Sequence, residues 1–114
     1  MAKQTAVNFT TNTTKQIAVV NKPSNGATSY IASIAIEGTF GSGSVTLQVS
    51  FDGGTTKTNI TADGYGTIPS YTVPCVVGLT LGNGNKNSAS PILYATLSGS
   101  SGASVNVTVC DNIG

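Results

Sequence analysis

Strict alternation of apolar and polar residues is what most limits the folds open to this chain. Across residues 44–51, Val45, Leu47, Val49 and Phe51 fall on one parity and Ser44, Thr46, Gln48 and Ser50 on the other. Successive side chains on a β-strand point to opposite faces, so this pattern specifies a strand with one buried and one wet face. The same period of two returns at residues 28–37, where Ala32, Ile34 and Ile36 share one face and Ile31, Ser33 and Ala35 the other. It returns at residues 91–98, with Leu93, Ala95 and Leu97 opposed to Ile92, Tyr94 and Thr96, and at residues 103–109, with Val105, Val107 and Val109 inward. No window repeats apolar residues at helical spacing between capping residues.

Weaker strand signals lie at residues 5–10, 16–20, 57–61 and 71–77. Pro74 removes a ladder donor and so places the last of these at a sheet edge or a bulge. The segments are separated by turn-forming clusters, among them Asn25-Gly26, Gly41-Ser42-Gly43, Gly82-Asn83-Gly84 and Ser98-Gly99-Ser100-Ser101-Gly102. Asp52-Gly53-Gly54 signals a hairpin, because glycine accepts the positive φ of tight reversals. Residues 91–109 read as a second hairpin that supplies two adjacent core strands. The sum is seven to nine strands in an all-β, antiparallel two-sheet sandwich, immunoglobulin-like or jelly-roll. With 114 residues and no internal repeat or linker, one domain is expected. Residues 15–114 form the sandwich, and residues 1–14 an N-terminal arm or an edge strand.

Charge narrows the function. Charged residues make up 8% of the chain, against about 25% in an ordinary soluble domain, and the formal net charge is +1. The cations Lys3, Lys15, Lys22, Lys57 and Lys86 are scattered, so no basic stripe exists to neutralise phosphates, and a nucleic-acid partner is not expected. No apolar run is long enough for a membrane helix, and no membrane partner is expected. There is no apolar leader, so synthesis in a cytoplasm is expected, with Cys75 and Cys110 reduced when made. The sequons at Asn8, Asn12, Asn59 and Asn106 then reflect a Thr-rich composition rather than glycosylation. A surface covered mainly by Thr, Ser, Asn and Gly weakens colloidal repulsion and suits close packing against other protein.

Histidine is absent, and with it the commonest general base and metal ligand. No Ser-His-Asp or Cys-His arrangement can be built. Glu37, Asp52, Asp63 and Asp111 are the only carboxylates, and most sit beside turn glycines or the chain end. No catalytic residue, cofactor or metal site is therefore expected. Cys75 and Cys110 have no C-x-x-C spacing; they read as two small apolar core residues, as a disulfide tying the last strand to residues 71–77, or as a reactive thiol. Residues 50–57 resemble the Asp-box pattern S-x-D-x-G-x-T-W, with Ser50, Asp52, Gly54 and Thr56 in place and Lys57 where the pattern has Trp. That motif is a structural turn. A single copy argues against a propeller.

Residues 38–56, with Gly43-Ser44-Val45-Thr46-Leu47-Gln48 leading to Ser50-Phe51-Asp52-Gly53-Gly54-Thr55-Thr56, resemble small virion proteins of tailed bacteriophages. Residues 92–107, through Ala95-Thr96-Leu97-Ser98-Gly99 and Gly102-Ala103-Ser104-Val105-Asn106-Val107, fit the same pattern of two successive hairpins. Together they span about a third of the chain, and Leu93-Tyr94 stands near the place where the pattern often has Arg. The resemblance implies a virion location and a capsid decoration, or cement, protein. Its partner would be the lattice of the major capsid protein, and its state a homo-oligomer such as a trimer. The rival expectation is a carbohydrate-binding or adhesion module of a phage tail or tail tip. Stacking on sugars needs exposed aromatics, and of Tyr30, Phe40, Tyr65, Tyr71 and Tyr94, the pair Tyr65 and Tyr71 flanking a loop leads.

Overall fold

A computed structural model describes residues 2–3, 6–20, 29–60, 69–82 and 91–111. In these, nine strand segments form two antiparallel sheets packed face to face as a sandwich. They are β1 (Ala2–Lys3), β2 (Val7–Phe9), β3 (Thr13–Val19), β4 (Ser29–Thr39), β5 (Ser44–Ser50), β6 (Thr58–Asn59), β7 (Cys75–Gly82), β8 (Ile92–Ser98) and β9 (Ser104–Asp111). The first sheet runs β1-β9-β4-β7, with β2 beside β1 along the same edge of β9. The second runs β3-β8-β5-β6.

The core is where the alternation places it. Ala32, Ile34 and Ile36 of β4 and Val105, Val107 and Val109 of β9 meet Val45, Leu47 and Val49 of β5 and Leu93, Ala95 and Leu97 of β8. Each fully buried Val, Leu or Ile contributes about 1.5–3 kcal/mol relative to exposure. Phe51 departs from the pattern. β5 ends at Ser50, so Ser50 is buried and Phe51 turns outward, 47% exposed.

Residues 91–109 are not a hairpin. β8 lies in the second sheet and β9 in the first, so residues 99–103 arch across the sandwich. Residues 40–43 do the same between β4 and β5, and residues 10–12 between β2 and β3. The three arches stack at one end. Ser101 N–H donates to the Gly41 carbonyl at 2.8 Å. The Asn12 Oδ1 accepts from the backbone N–H of Ser100 at 2.9 Å and from its hydroxyl at 2.6 Å. Gly38 has φ +114°, and a Cβ there would run into the Ser104 carbonyl, so the close approach of β4 to β9 requires glycine.

The first fourteen residues contain β1 and β2, both paired along β9: Ala2 opposite Asp111, Val7 opposite Val107 and Phe9 opposite Val105. The Phe9 side chain is fully buried. Lys15 of β3 reaches across the open side of the sandwich, lies 5.4 Å from the Phe9 ring centre and donates to the Asn8 carbonyl at 2.8 Å. The register of β3 against β8 shifts between Gln16 and Ala18, a bulge that lets Ile17 and Ala18 both point inward.

Candidate interaction surface

The outer face of the second sheet is a flat array of hydroxyl and amide groups. Thr14, Thr96 and Thr46 are cross-strand neighbours on β3, β8 and β5, and the hydroxyls of Thr14 and Thr96 lie 2.7 Å apart. The next row is Gln16, Tyr94, Gln48 and Asn59, in which the Gln48 amide donates to Asn59 Oδ1 at 3.0 Å. No strand residue on this face is charged among the described residues. Such rows hold their side chains in place through cross-strand bonds, so little rotamer freedom is left to lose on docking.

The loop from β5 to β6 folds back over this face. The Ser50 hydroxyl donates to Asp52 Oδ1 at 2.7 Å and accepts the Gly54 N–H at 2.9 Å, while Asp52 Oδ1 accepts the Thr56 N–H at 2.8 Å. Ser50, Asp52, Gly54 and Thr56 are thus joined in one turn. The Thr56 N–H, and after it the Ser50 hydroxyl, hold the Asp52 carboxyl down at about 2, so it is an anion at every ordinary pH. Lys57, in the place of the motif's Trp, sets its ammonium 4.8 Å from the Tyr94 ring centre and donates to the Gly54 carbonyl at 3.3 Å. Gly54 has φ +100°, and a Cβ would lie 2.6 Å from the Tyr94 hydroxyl. The loop therefore lies directly on Tyr94, which is why a ring on the outward face is buried.

Beside this turn is an open cleft of about 250 Å³ lined by Val49, Phe51, Asp52, Thr56 and Thr58. It presents an exposed aromatic ring next to a fixed carboxylate and two threonines. Phe51 escaped the sequence reading because alternation assigned it to the core. The signal available was its position immediately before Asp52-Gly53-Gly54, where the strand must end. The Tyr71 backbone bonds Val45 in both directions at 2.9 Å, and its half-buried ring packs against the core. Partial burial, and then the nearby Cys75, pushes its phenol pKa up. Tyr65 lies outside the described residues.

Cys75 and Cys110 are unbonded. Cys75 pairs with core-facing Ile36 and Cys110 with Ser33 on the other face of β4, so the thiols stand on opposite faces with β4 between them. Two strand spacings alone separate them by about 10 Å, beyond the reach of a disulfide. Glu37 is exposed on the first sheet, opposite Asn106, and Asp52 belongs to the second, so these two carboxylates share no cleft. No group of three or more His, Cys, Asp or Glu among the described residues is placed to hold a metal ion. The chain matches no protein family, no curated protein and no solved structure.

Proposed function

We propose that this chain is a non-enzymatic virion protein that decorates and stabilises a phage capsid. The observation that carries the reading is the hydrogen-bonded rows of Thr, Gln and Asn on the outer face of the second sheet, whose strands place no charge there among the described residues; the charges at this face, Lys57 and Asp52, come from the turn folded over Tyr94. Rows of Thr, Gln and Asn dock on another protein without stripping water from ions, which is the costly part of burying polar surface, so the contact is expected on the Thr14, Thr96 and Thr46 side of the face, away from Lys57 and Asp52. Each contact is weak, and a lattice that presents many equivalent sites to an oligomer multiplies weak contacts through effective concentration. The stretches resembling phage virion proteins form the end of β4, β5 and its turn in one place and β8 with the first half of β9 in the other. They therefore include two of the four strands of that face. The partner is the major capsid protein lattice, and the protein is made in the host cytoplasm before joining the particle.

The test is the copy number of the chain in purified virions, measured by quantitative mass spectrometry against the major capsid protein. Hundreds of copies per particle are expected. A handful, or none, overturns the reading.

The cleft at Phe51 favours a second reading, an adhesion module that binds carbohydrate. A sugar ring stacked on Phe51 would offer hydroxyls to the Asp52 carboxylate, which is ionised and rigidly held. Glycan-array binding that is lost in Phe51→Ala, with capsid binding absent, would move the protein to the tail. Glycan binding lost in Tyr65→Ala but kept in Phe51→Ala would put the sugar site elsewhere.

A further inference from the structure

Each sheet of the sandwich has two edges, and three of the four are blunted. β6 is two residues long, β1 and β2 are two and three, and β3 carries both Lys15 and the bulge at Gln16. These are the ordinary devices by which proteins keep sheet edges from pairing with other chains. β7 has none of them. Its eight residues, Cys75–Gly82, include no charge, and their register against β4 runs without a break from Ser29 opposite Gly82 to Ile36 opposite Cys75. Among the described residues β4 is the only strand paired with it. Pro74 lies just before the strand, so none of these eight residues lacks a backbone donor.

The side chains at this edge are unfinished as well. Cys75, Val77 and Leu79 lie on the core side of β7 yet are only half-buried, while the core-facing residues of β4 and β9 are closed off completely. On the outer side Val76 is 74% exposed, and Val73, just before the strand, is 63% exposed.

We infer that β7 pairs antiparallel with β7 of a second copy of this chain, about a two-fold axis normal to the sheet. This deepens the homo-oligomer of the capsid reading and rests on that reading for its setting. The second copy is the occupant that fits on three counts. A two-fold axis centred on a residue of the strand sets core-facing residues opposite core-facing residues. A register centred on Val77 puts Cys75 opposite Leu79 of the second copy and Val76 opposite Gly78, so the half-buried apolar rows run into each other. The strand also presents no charge that a partner would have to neutralise, and none that would repel its own copy. The register centred on Val77 pairs Cys75 through Leu79, five residues spanning about 17 Å, and with the two layers about 10 Å apart plus their side chains the paired edge wall covers roughly 300 Å² per copy. The total of about 600 Å² is below the usual size of a specific interface, so association is expected to be weak in dilute solution. It would become complete at the local concentration of a lattice.

Sedimentation velocity on the full chain from micromolar to near-millimolar concentration tests this. A monomer–dimer equilibrium is expected, with β7 amides gaining protection from hydrogen exchange as the dimer fills. Val76→Lys and Val76→Glu, at a position open to solvent in the monomer, are each expected to weaken dimerisation at least about tenfold, because like charges are set within about 8 Å across the axis. Their melting curves at low concentration should match the wild type, and mixing the two variants should restore the dimer. A wild type that stays monomeric, or a Val76→Lys chain that dimerises as well as wild type, overturns the pairing. Monomeric protein that still saturates purified capsids would overturn the pairing alone and leave the capsid reading standing. Dimers that ignore capsids would uphold the pairing and remove the reading.

Discussion

Phe9→Ala asks whether the N-terminal segment belongs to the fold or serves as a loose arm. Phe9 is fully buried between β9 and the Lys15 stem, on a strand only three residues long. Truncating a buried Phe costs about 3–5 kcal/mol, the range reflecting how far the site collapses around the vacancy. Here collapse is easy, since β2 is short and at an edge, so the expected loss is about 3 kcal/mol. That is a large part of the 5–15 kcal/mol that holds a domain together. At about 4 °C per kcal/mol for a chain of this size, the melting temperature should fall by about 12 °C. Urea unfolding followed by circular dichroism, with the same m-value for both proteins, measures the loss. An arm that docks only on a neighbour would leave the monomer unchanged. A loss under about 1 kcal/mol at micromolar concentration would therefore refute the packing argument for β2.

Three further predictions concern the loop over Tyr94. Asp52 is held below its ordinary 3.8 at about 2, so its contribution to stability is complete above about pH 4 and is lost as pH falls toward 2; melting temperatures across that window should drop more steeply for wild type than for Asp52→Asn, and parallel curves would refute the assignment. Ser50→Ala removes the hydroxyl that accepts the Gly54 N–H and bonds Asp52 inside a buried site, and should cost about 1–3 kcal/mol in urea unfolding. Gly54→Ala should destabilise more than Gly53→Ala, although both have positive φ, because only at Gly54 does a Cβ meet the Tyr94 hydroxyl; removing that hydroxyl with Tyr94→Phe should recover part of the difference, and strict additivity in the double mutant would show that the contact is irrelevant.

The strands were legible wherever a local rule sufficed. Parity alone separates Val45, Leu47 and Val49 from Ser44, Thr46 and Gln48, and the spacing of Ser50, Asp52, Gly54 and Thr56 encodes a turn whose bonds are nearly all within four residues. What parity does not carry is which sheet a strand joins. An apolar row facing the core reads the same from either layer, so β8 and β9 resembled a hairpin when residues 99–103 in fact cross the sandwich. The positive φ of Gly99 and Gly102 serves that crossing, and a glycine-rich linker gives no sign of whether it reverses within a sheet or between sheets. The burial of Tyr94 was hidden for a similar reason. It depends on Lys57 and Gly54 arriving from the far end of a loop, a contact between positions about 40 residues apart. Phe51 was misplaced because alternation was carried one residue past the end of β5.

The path of the chain links stability to the proposed setting. Only β5 and β6 are successive strands joined as a hairpin within one sheet; every other change from one described strand to the next, apart from β1 to β2 along β9, passes between the two layers. Nearly all ladders therefore join segments distant in sequence, as when β9 closes on both β2 and β4. Loop-closure entropy must be met before such pairings return any energy, so folding is expected to be slow for a chain of this length. At a given stability, slow folding means slow unfolding, because the ratio of the two rates is fixed. A component of a particle outside a cell is not resynthesised, and its useful lifetime depends on the unfolding rate rather than on the equilibrium alone. The topology that conceals itself from local sequence patterns is thus also the one that suits a protein required to remain folded on a surface.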